Sequence, residues 1–157
     1  MKIASIKELK DELKHRSKEE LLEYCLQLSK FKKENKELLT YLLFDSTDEE
    51  EYIRQIKADM DDQFQEINTK NFYLIKKSVR KILKSIKKYI RQSKKKETEV
   101  ELLLYFCNKL LQFKPSIKRN TTLLNLYTRQ LNMAKKAISS LHEDLQYDYE
   151  QELENLI

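Results

Sequence analysis

The histidines and the carboxylates near them are the first candidates for chemistry. The chain has two histidines, and His15 follows Glu12 at the Glu-x-x-His spacing that di-iron helical bundles use in pairs. The sequence has no second Glu-x-x-His pair, because the residue three places before His142 is Ser139. We therefore predict that both histidines lie on the surface and that the chain binds no metal through them.

A second acidic pattern resembles the start of a calcium loop. Asp45, Thr47 and Glu49 alternate as the first ligands of an EF-hand do, but Glu50 occupies the position at which that loop requires glycine. The chain contains no glycine at all, whereas phosphate-binding loops, dinucleotide fingerprints and nucleophile elbows depend on it. We expect no enzyme, no catalytic residue and no cofactor.

The two cysteines are too far apart in sequence to suggest a zinc site or a disulfide framework. Cys25 and Cys107 are single, and each follows an aromatic residue. We predict that both are buried thiols. No apolar run is long enough to span a bilayer, and the amino terminus lacks the apolar region of a signal peptide. We therefore expect no membrane span and a cytoplasmic protein.

Charge is distributed in two adjacent blocks of opposite sign. Nine acidic and two basic residues lie between Asp45 and Glu66, whereas the segment from Lys70 to Lys96 has twelve basic residues and no acidic one. One interpretation is an antiparallel helical hairpin held in register by ion pairs. The carboxylates of Asp59, Asp61, Asp62 and Glu66 would then lie near Lys76, Lys77 and Arg80, and those of residues 49–51 near Arg91 and Lys94.

The alternative interpretation is that the basic helix binds a polyanion, with nucleic acid as the main candidate. Basic residues that recur every three or four positions on one helical face can neutralise phosphates. Lysine outnumbers arginine in the block by ten to two, which indicates weak sequence specificity. The candidate polyanion-binding residues are Lys81, Lys84, Lys87, Lys88, Arg91, Lys94, Lys95 and Lys96.

Helical periodicity covers nearly the whole chain, and short clusters of Ser, Thr, Asn and Asp separate the segments. The fold class predicted is all-α, with about six to seven helices packed as antiparallel hairpins in a compact bundle or a short HEAT-like curved stack. The first three predicted helices lie near 5–15, from Ser17 onward and over 34–44. The fourth starts with the acidic turn at 48–51 and ends near 67, and the next two cover 72–93 and 97–113. The last begins after Asn120 and has a break near Ser139.

We expect a single helical domain over 1–157. A weak internal similarity between the segments 20–32 and 101–114 suggests an alternative, in which two duplicated units cover about 5–67 and 70–157. Chance explains the same similarity, because the chain is rich in Leu, Lys and Tyr.

The order of the segments resembles a bacterial family of small helical proteins described only as a domain of unknown function. The similarity is carried by the helix start at 17–21, an aromatic stretch at 41–44 before an acidic helix start, the Lys-rich helix, and the segment 100–106 leading to Phe113. The glycine expected in the sixth helix of that family is absent here. The resemblance implies the helical fold and no activity, cofactor or site residue.

The most direct functional hypothesis is a non-enzymatic helical interaction or scaffold protein. Its partner would be another protein or a second copy of the chain. The alternative is weakly sequence-specific nucleic-acid binding through the basic helix 70–96.

Overall fold

The computed structural model describes residues 1–156, and every regular element in that range is helical. The all-α prediction is confirmed. The eight α-helices are α1 (Ile6–Leu13), α2 (Lys18–Phe31), α3 (Lys33–Leu43), α4 (Glu49–Gln65), α5 (Phe72–Ser93), α6 (Lys96–Gln112), α7 (Thr121–Ile138) and α8 (Glu143–Glu154). This number exceeds the predicted six to seven because the chain does break after Ile138.

Local side-chain caps explain where most of these helices begin. Ser5 and Ser17 form capping boxes with Glu8 and Glu20. The side chains of three further residues accept a backbone N–H at the starts of α4, α5 and α7, and these residues are Asp48, Asn71 and Asn120.

The chain divides into two compact units, residues 1–44 and residues 45 onward. The expectation of one domain over 1–157, and its alternative with a duplication at 5–67 and 70–157, remain predictions.

The first unit, called unit 1 below, contains α1, α2 and α3. The helices α2 and α3 pack as an antiparallel pair joined at Lys32, and Asn35 Nδ2 donates a hydrogen bond to the Leu28 carbonyl at 2.8 Å. Within residues 1–44, all of which the structure describes, only Ser29 and Tyr41 are buried. The prediction of a buried thiol at Cys25 is wrong, because Cys25 lies on the open side of the α2–α3 pair.

The second unit, called unit 2 below, is built around α6. Apolar side chains of α6 are buried on most of its circumference, which is typical of a helix surrounded by others. The helices α4, α5 and α7 pack directly against α6, and α8 lies beside α4 over one face of it. The fully buried residues of α6 include Val100, Leu102, Leu103, Phe106, Cys107 and Leu110.

Long-range contacts fix the directions of the helices in unit 2. The Tyr52 hydroxyl near the start of α4 donates to the carbonyl of Tyr89 near the end of α5, at 3.2 Å, so these helices are antiparallel as predicted. At the other end of α4, the ring of Phe64 packs against those of Phe106 and Phe113, with centroids 5.9 and 6.2 Å away. The helices α4 and α6 therefore run in the same direction.

Candidate polyanion-binding surface

The helix α5 has an apolar face and a basic face on opposite sides. Ile75, Val79, Ile82 and Ile86 are buried at alternating spacings of four and three. At 100° per residue, the basic residues farthest from this stripe project away from the core. We define the α5 basic face as five basic residues that are all exposed: Lys77, Arg80, Lys81, Lys84 and Arg91. They extend over about 21 Å of helix at 1.5 Å per residue.

The Glu66 carboxylate lines a pocket together with Lys81 of this face, but ion pairs to the face are absent among the described residues. Within residues 1–156, no carboxylate lies within 4.0 Å of a basic nitrogen of the five residues, and α5 itself has no acidic residue. Lys94, which follows the helix, is likewise exposed and without such a partner in that range. Of the predicted residues, the structure therefore keeps Lys81, Lys84, Arg91 and Lys94 available to a solvent-borne anion.

The other four predicted residues have contacts within the protein. Lys87 is partly buried, its Nζ lies 2.9 Å from Met133 Sδ on α7, and this burial lowers its pKa. Lys88 is partly buried, with its Nζ 5.3 Å from the centre of the Tyr89 ring. The remaining two are exposed but engaged in ion pairs, Lys95 with Glu49 at 3.5 Å and Lys96 with Glu99 at 3.4 Å.

Four basic residues that the sequence analysis did not assign to the surface belong near it. Lys77 and Arg80 were placed in hairpin ion pairs, whereas Arg129 and Lys136 are exposed residues of α7 on the same flank as Met133. The sequence contained a signal for Arg129 and Lys136. The segment 102–142 contains seven basic residues and no acidic one, so α7 could have been recognised as a second basic helix.

The predicted ion pairs between α4 and α5 are not formed in the described part of the chain. Asp61 instead accepts a hydrogen bond from the Tyr105 hydroxyl at 2.7 Å and pairs with Lys109 Nζ at 3.0 Å, both on α6. Burial opposes the charge of Asp61, but these two donors outweigh it and lower its pKa. Asp61 thus turns toward α6 and forms no ion pair with the α5 basic face.

At the far end of the predicted pairing, polar contacts do join α4 and α5. Glu49 accepts hydrogen bonds from Ser93 Oγ at 2.5 Å and Thr98 Oγ1 at 2.8 Å, and it also pairs with Lys95. The predicted register at this end is correct, although Arg91 and Lys94 are not the partners.

A polar cleft of about 290 Å³ lies between α4, α6 and α8 on the acidic side of unit 2. Glu101 in this cleft accepts hydrogen bonds from Lys57 Nζ at 2.9 Å and from the Tyr149 hydroxyl at 2.8 Å. Burial, followed by the bond to Glu101, raises the pKa of Tyr149. Glu152 also lines the cleft, and burial, followed by the nearby charge of Glu101, raises its pKa.

The remaining candidate groups for chemistry are one buried thiol and two exposed histidines. Cys107 is buried, and burial raises the pKa of its thiol to about 12. His15 and His142 are exposed, as predicted. Among residues 1–156, no three His, Cys, Asp or Glu side chains are grouped so that they could hold a metal ion.

Charge is distributed unequally among the four helices that surround α6 in unit 2, although α4 packs directly on α5 and α7 directly on α8. The helix α8 has six acidic and no basic residues and adjoins α4, which has six acidic and two basic ones. The helix α5 has eight basic residues and α7 has three, and neither has an acidic one. The contact between Lys87 and Met133 joins these two basic helices.

Comparison of the chain with protein-family models, with curated proteins and with solved structures found no match. The resemblance to a helical family of unknown function stays a prediction. None of the helices in residues 1–156 combines the length and the apolar character that a bilayer span requires.

Proposed function

We propose that this chain is a non-enzymatic binding protein in which the α5 basic face holds the phosphate backbone of a nucleic acid. The observation that carries the proposal is the row of five exposed basic residues without a carboxylate partner in the described chain. The adjoining residues of α7, Arg129 and Lys136, extend the positive surface beyond a single helix. Non-catalytic binding is part of the proposal.

The strength of the interaction would come from release of counterions rather than from reading of bases. Each phosphate neutralised by Lys or Arg frees a condensed counterion, and this gain depends on salt concentration. Three of the five residues of the α5 basic face are lysines, which bind phosphate as point charges and discriminate little between bases. Weak sequence preference is therefore part of the proposal.

An exposed aromatic ring on the same side of α5 favours single-stranded nucleic acid. Tyr73 is 71% exposed, and it precedes Lys77 by one helical turn and Arg80 by two. Unpaired bases stack on such rings, and the contribution is about 1 to 3 kcal/mol per base. A base stacked on Tyr73 would leave its phosphates close to the basic residues that follow.

A protein partner is the second candidate, and the observation that favours it lies in unit 1. Large apolar side chains are exposed along all three helices there, among them Ile6, Leu22, Leu28, Phe31 and Leu42. Contiguous apolar surface of this kind marks interaction sites in soluble proteins.

A fluorescence anisotropy titration tests the nucleic-acid proposal. Labelled single-stranded and duplex DNA and RNA of mixed sequence would be titrated with the full chain at about 50 and 200 mM salt. With about five phosphates neutralised, the logarithm of the association constant should fall with the logarithm of salt at a slope near −4.5 on duplex DNA and −3.5 on single strands. Absence of binding at the lower salt concentration would contradict the proposal.

A further inference from the structure

The helix α8 presents an acidic face to solvent. Tyr149 and Leu153 on its inner side are buried in unit 2. At 100° per residue, four acidic residues project within about 90° of the opposite direction. We define these residues as the α8 acidic face, and all of them are exposed: Glu143, Asp144, Asp148 and Glu154.

Ion pairs engage this face very little. In the described part of the chain, no basic nitrogen lies within 4.0 Å of the carboxylates of Glu143, Asp148 and Glu154. Asp144 has one such neighbour, His142 Nδ1 at 3.6 Å, and this pair carries opposite charges only when the histidine is protonated. The helix α8 has no basic residue of its own. Its negative charge is therefore available to a cationic surface of another molecule.

The α5 basic face matches the α8 acidic face in length and is opposite to it in sign. At 1.5 Å per residue the acidic face extends over about 17 Å and the basic face over about 21 Å. Glu66 lines a pocket with Lys81, but it forms no ion pair with the basic face. Both faces point to solvent from opposite sides of their own buried stripes, so they can meet only between two copies.

We infer that the α8 acidic face of one copy binds the α5 basic face of a second copy. Each copy has one face of each kind, so the contact is head-to-tail and leaves one free face at either end of a pair. Further copies can add to these ends. The contact consists of exposed ion pairs, which are individually weak and screened by salt, so it should form at low salt and high protein concentration.

Nucleic acid and the α8 acidic face would compete for the same basic residues. A nucleic-acid strand also releases condensed counterions when it binds, whereas α8 does not, so the strand should displace α8. Self-association would therefore mask the α5 basic face until a nucleic acid is present. This competition rests on the proposed function, whereas the self-association does not.

Two variants, each with one neutralised face, test the arrangement by complementation. The α5 variant is Lys77→Gln, Lys81→Gln and Lys84→Gln, and the α8 variant is Glu143→Gln, Asp148→Asn and Glu154→Gln. All six positions are exposed, so both variants should keep their helical circular dichroism. Sedimentation equilibrium at about 20 mM salt and about 0.05 to 1 mM protein covers the dissociation constant expected for a few exposed ion pairs.

The parent chain should exceed its monomer mass of 19.0 kDa at low salt and return to it at about 500 mM salt. Each variant alone should stay monomeric. An equimolar mixture of the two should form a complex of two copies and nothing larger, because it retains one intact face of each kind per pair. The matched control is Asp11→Asn, Glu23→Gln and Glu34→Gln in unit 1, which changes the net charge as the α8 variant does and should associate as the parent does.

Three results would overturn the inference. They are a parent chain that stays monomeric at low salt, a mixture that does not associate where the parent does, and equal loss of association in the α8 variant and the unit 1 control. A short single-stranded oligonucleotide separates these failures from failure of the proposed function. Binding of the oligonucleotide by a chain that never associates would refute the self-association alone, and association of a chain that never binds the oligonucleotide would refute the proposed function alone.

Discussion

Lys94 ends α5 in a left-handed backbone conformation, with φ of 61°, and its N–H donates to the Ile90 carbonyl at 2.9 Å. Glycine is the usual residue at this position of a helix terminus, because a Cβ atom costs about 1 to 2 kcal/mol there. The chain has no glycine, so a lysine occupies the site.

Lys94→Gly should raise the free energy of unfolding by about 0.5 to 1 kcal/mol. Relief of the Cβ clash exceeds the additional entropy that glycine gives to the unfolded chain, which is about 0.5 to 1 kcal/mol. Urea denaturation measures the change. Lys94→Ala removes the same charge but keeps the Cβ atom, so equal stabilities of the glycine and alanine variants would contradict the explanation.

Tyr73 is the residue that should separate single-stranded from duplex binding. Tyr73→Ala should weaken single-stranded affinity about tenfold, which is about 1.4 kcal/mol, while duplex affinity should change little because paired bases cannot stack on the ring. Parallel anisotropy titrations of both substrates measure the two effects. Tyr147→Ala, a tyrosine 64% exposed on α8, is the control. Equal losses for single strands and duplex would remove Tyr73 from the binding surface.

At the scale of helices, polar contacts between α4 and α6 replace the hairpin ion pairs that the sequence suggested. An exposed ion pair contributes about 0.2 to 1 kcal/mol, whereas burial of one large apolar side chain contributes about 1.5 to 3 kcal/mol. The packing of Phe64 on Phe106 therefore decides which side of α4 faces inward, and its carboxylates pair with the basic and hydroxyl groups they then meet. Charge patterns alone could not predict this choice.

The helix positions themselves were predictable because their signals are local. Capping residues such as Ser17 and Asn120, and the apolar stripe of α5, each lie within a few residues of the structure they determine. Exposure of Cys25 depends on which face of α2 the rest of unit 1 covers, and no local pattern contains that information.

The bond from Tyr105 to Asp61 predicts a specific dependence on alkaline pH. Burial, together with this bond, raises the pKa of Tyr105 from 10.0 to about 12. A raised pKa in the folded state means that the contribution of Tyr105 to stability is complete below pH 10 and is lost as the pH rises through 12. Tyr105→Phe should cost about 1 kcal/mol at pH 9 through the lost hydrogen bond, and the difference from the wild type should shrink between pH 10 and 12.

Urea denaturation at pH 9, 10 and 11 measures this convergence. Tyr147→Phe is the control, since that exposed ring should leave the pH dependence of the wild type unchanged. A constant difference in the free energy of unfolding between Tyr105→Phe and the wild type across this range would show that Tyr105 does not contribute to the pH dependence of stability.

At the scale of unit 2, the arrangement of the helices determines the candidate binding surface more than the net charge does. The acidic helices α4 and α8 line one cleft, and a contact between Lys87 and Met133 joins the basic helices α5 and α7, while α4 also packs on α5 and α7 on α8. The sequence shows the charge of each helix but not which side of α4 faces which neighbour, so it suggested mutual neutralisation of α4 and α5. Four of the eight predicted polyanion-binding residues remain exposed and without a carboxylate partner, and the α7 residues of the same surface were missed.

The central claim is that the α5 basic face, and not positive charge in general, binds nucleic acid. The most direct measurement compares the affinities of two triple variants for a single-stranded oligonucleotide at low salt. One variant is Lys77→Glu, Lys81→Glu and Lys84→Glu. The other is Lys114→Glu, Lys118→Glu and Lys135→Glu, which changes the net charge equally at exposed positions outside that face. We predict at least a hundredfold loss for the first and less than a fivefold loss for the second. Equal losses, or retained affinity in the first variant, would contradict the claim.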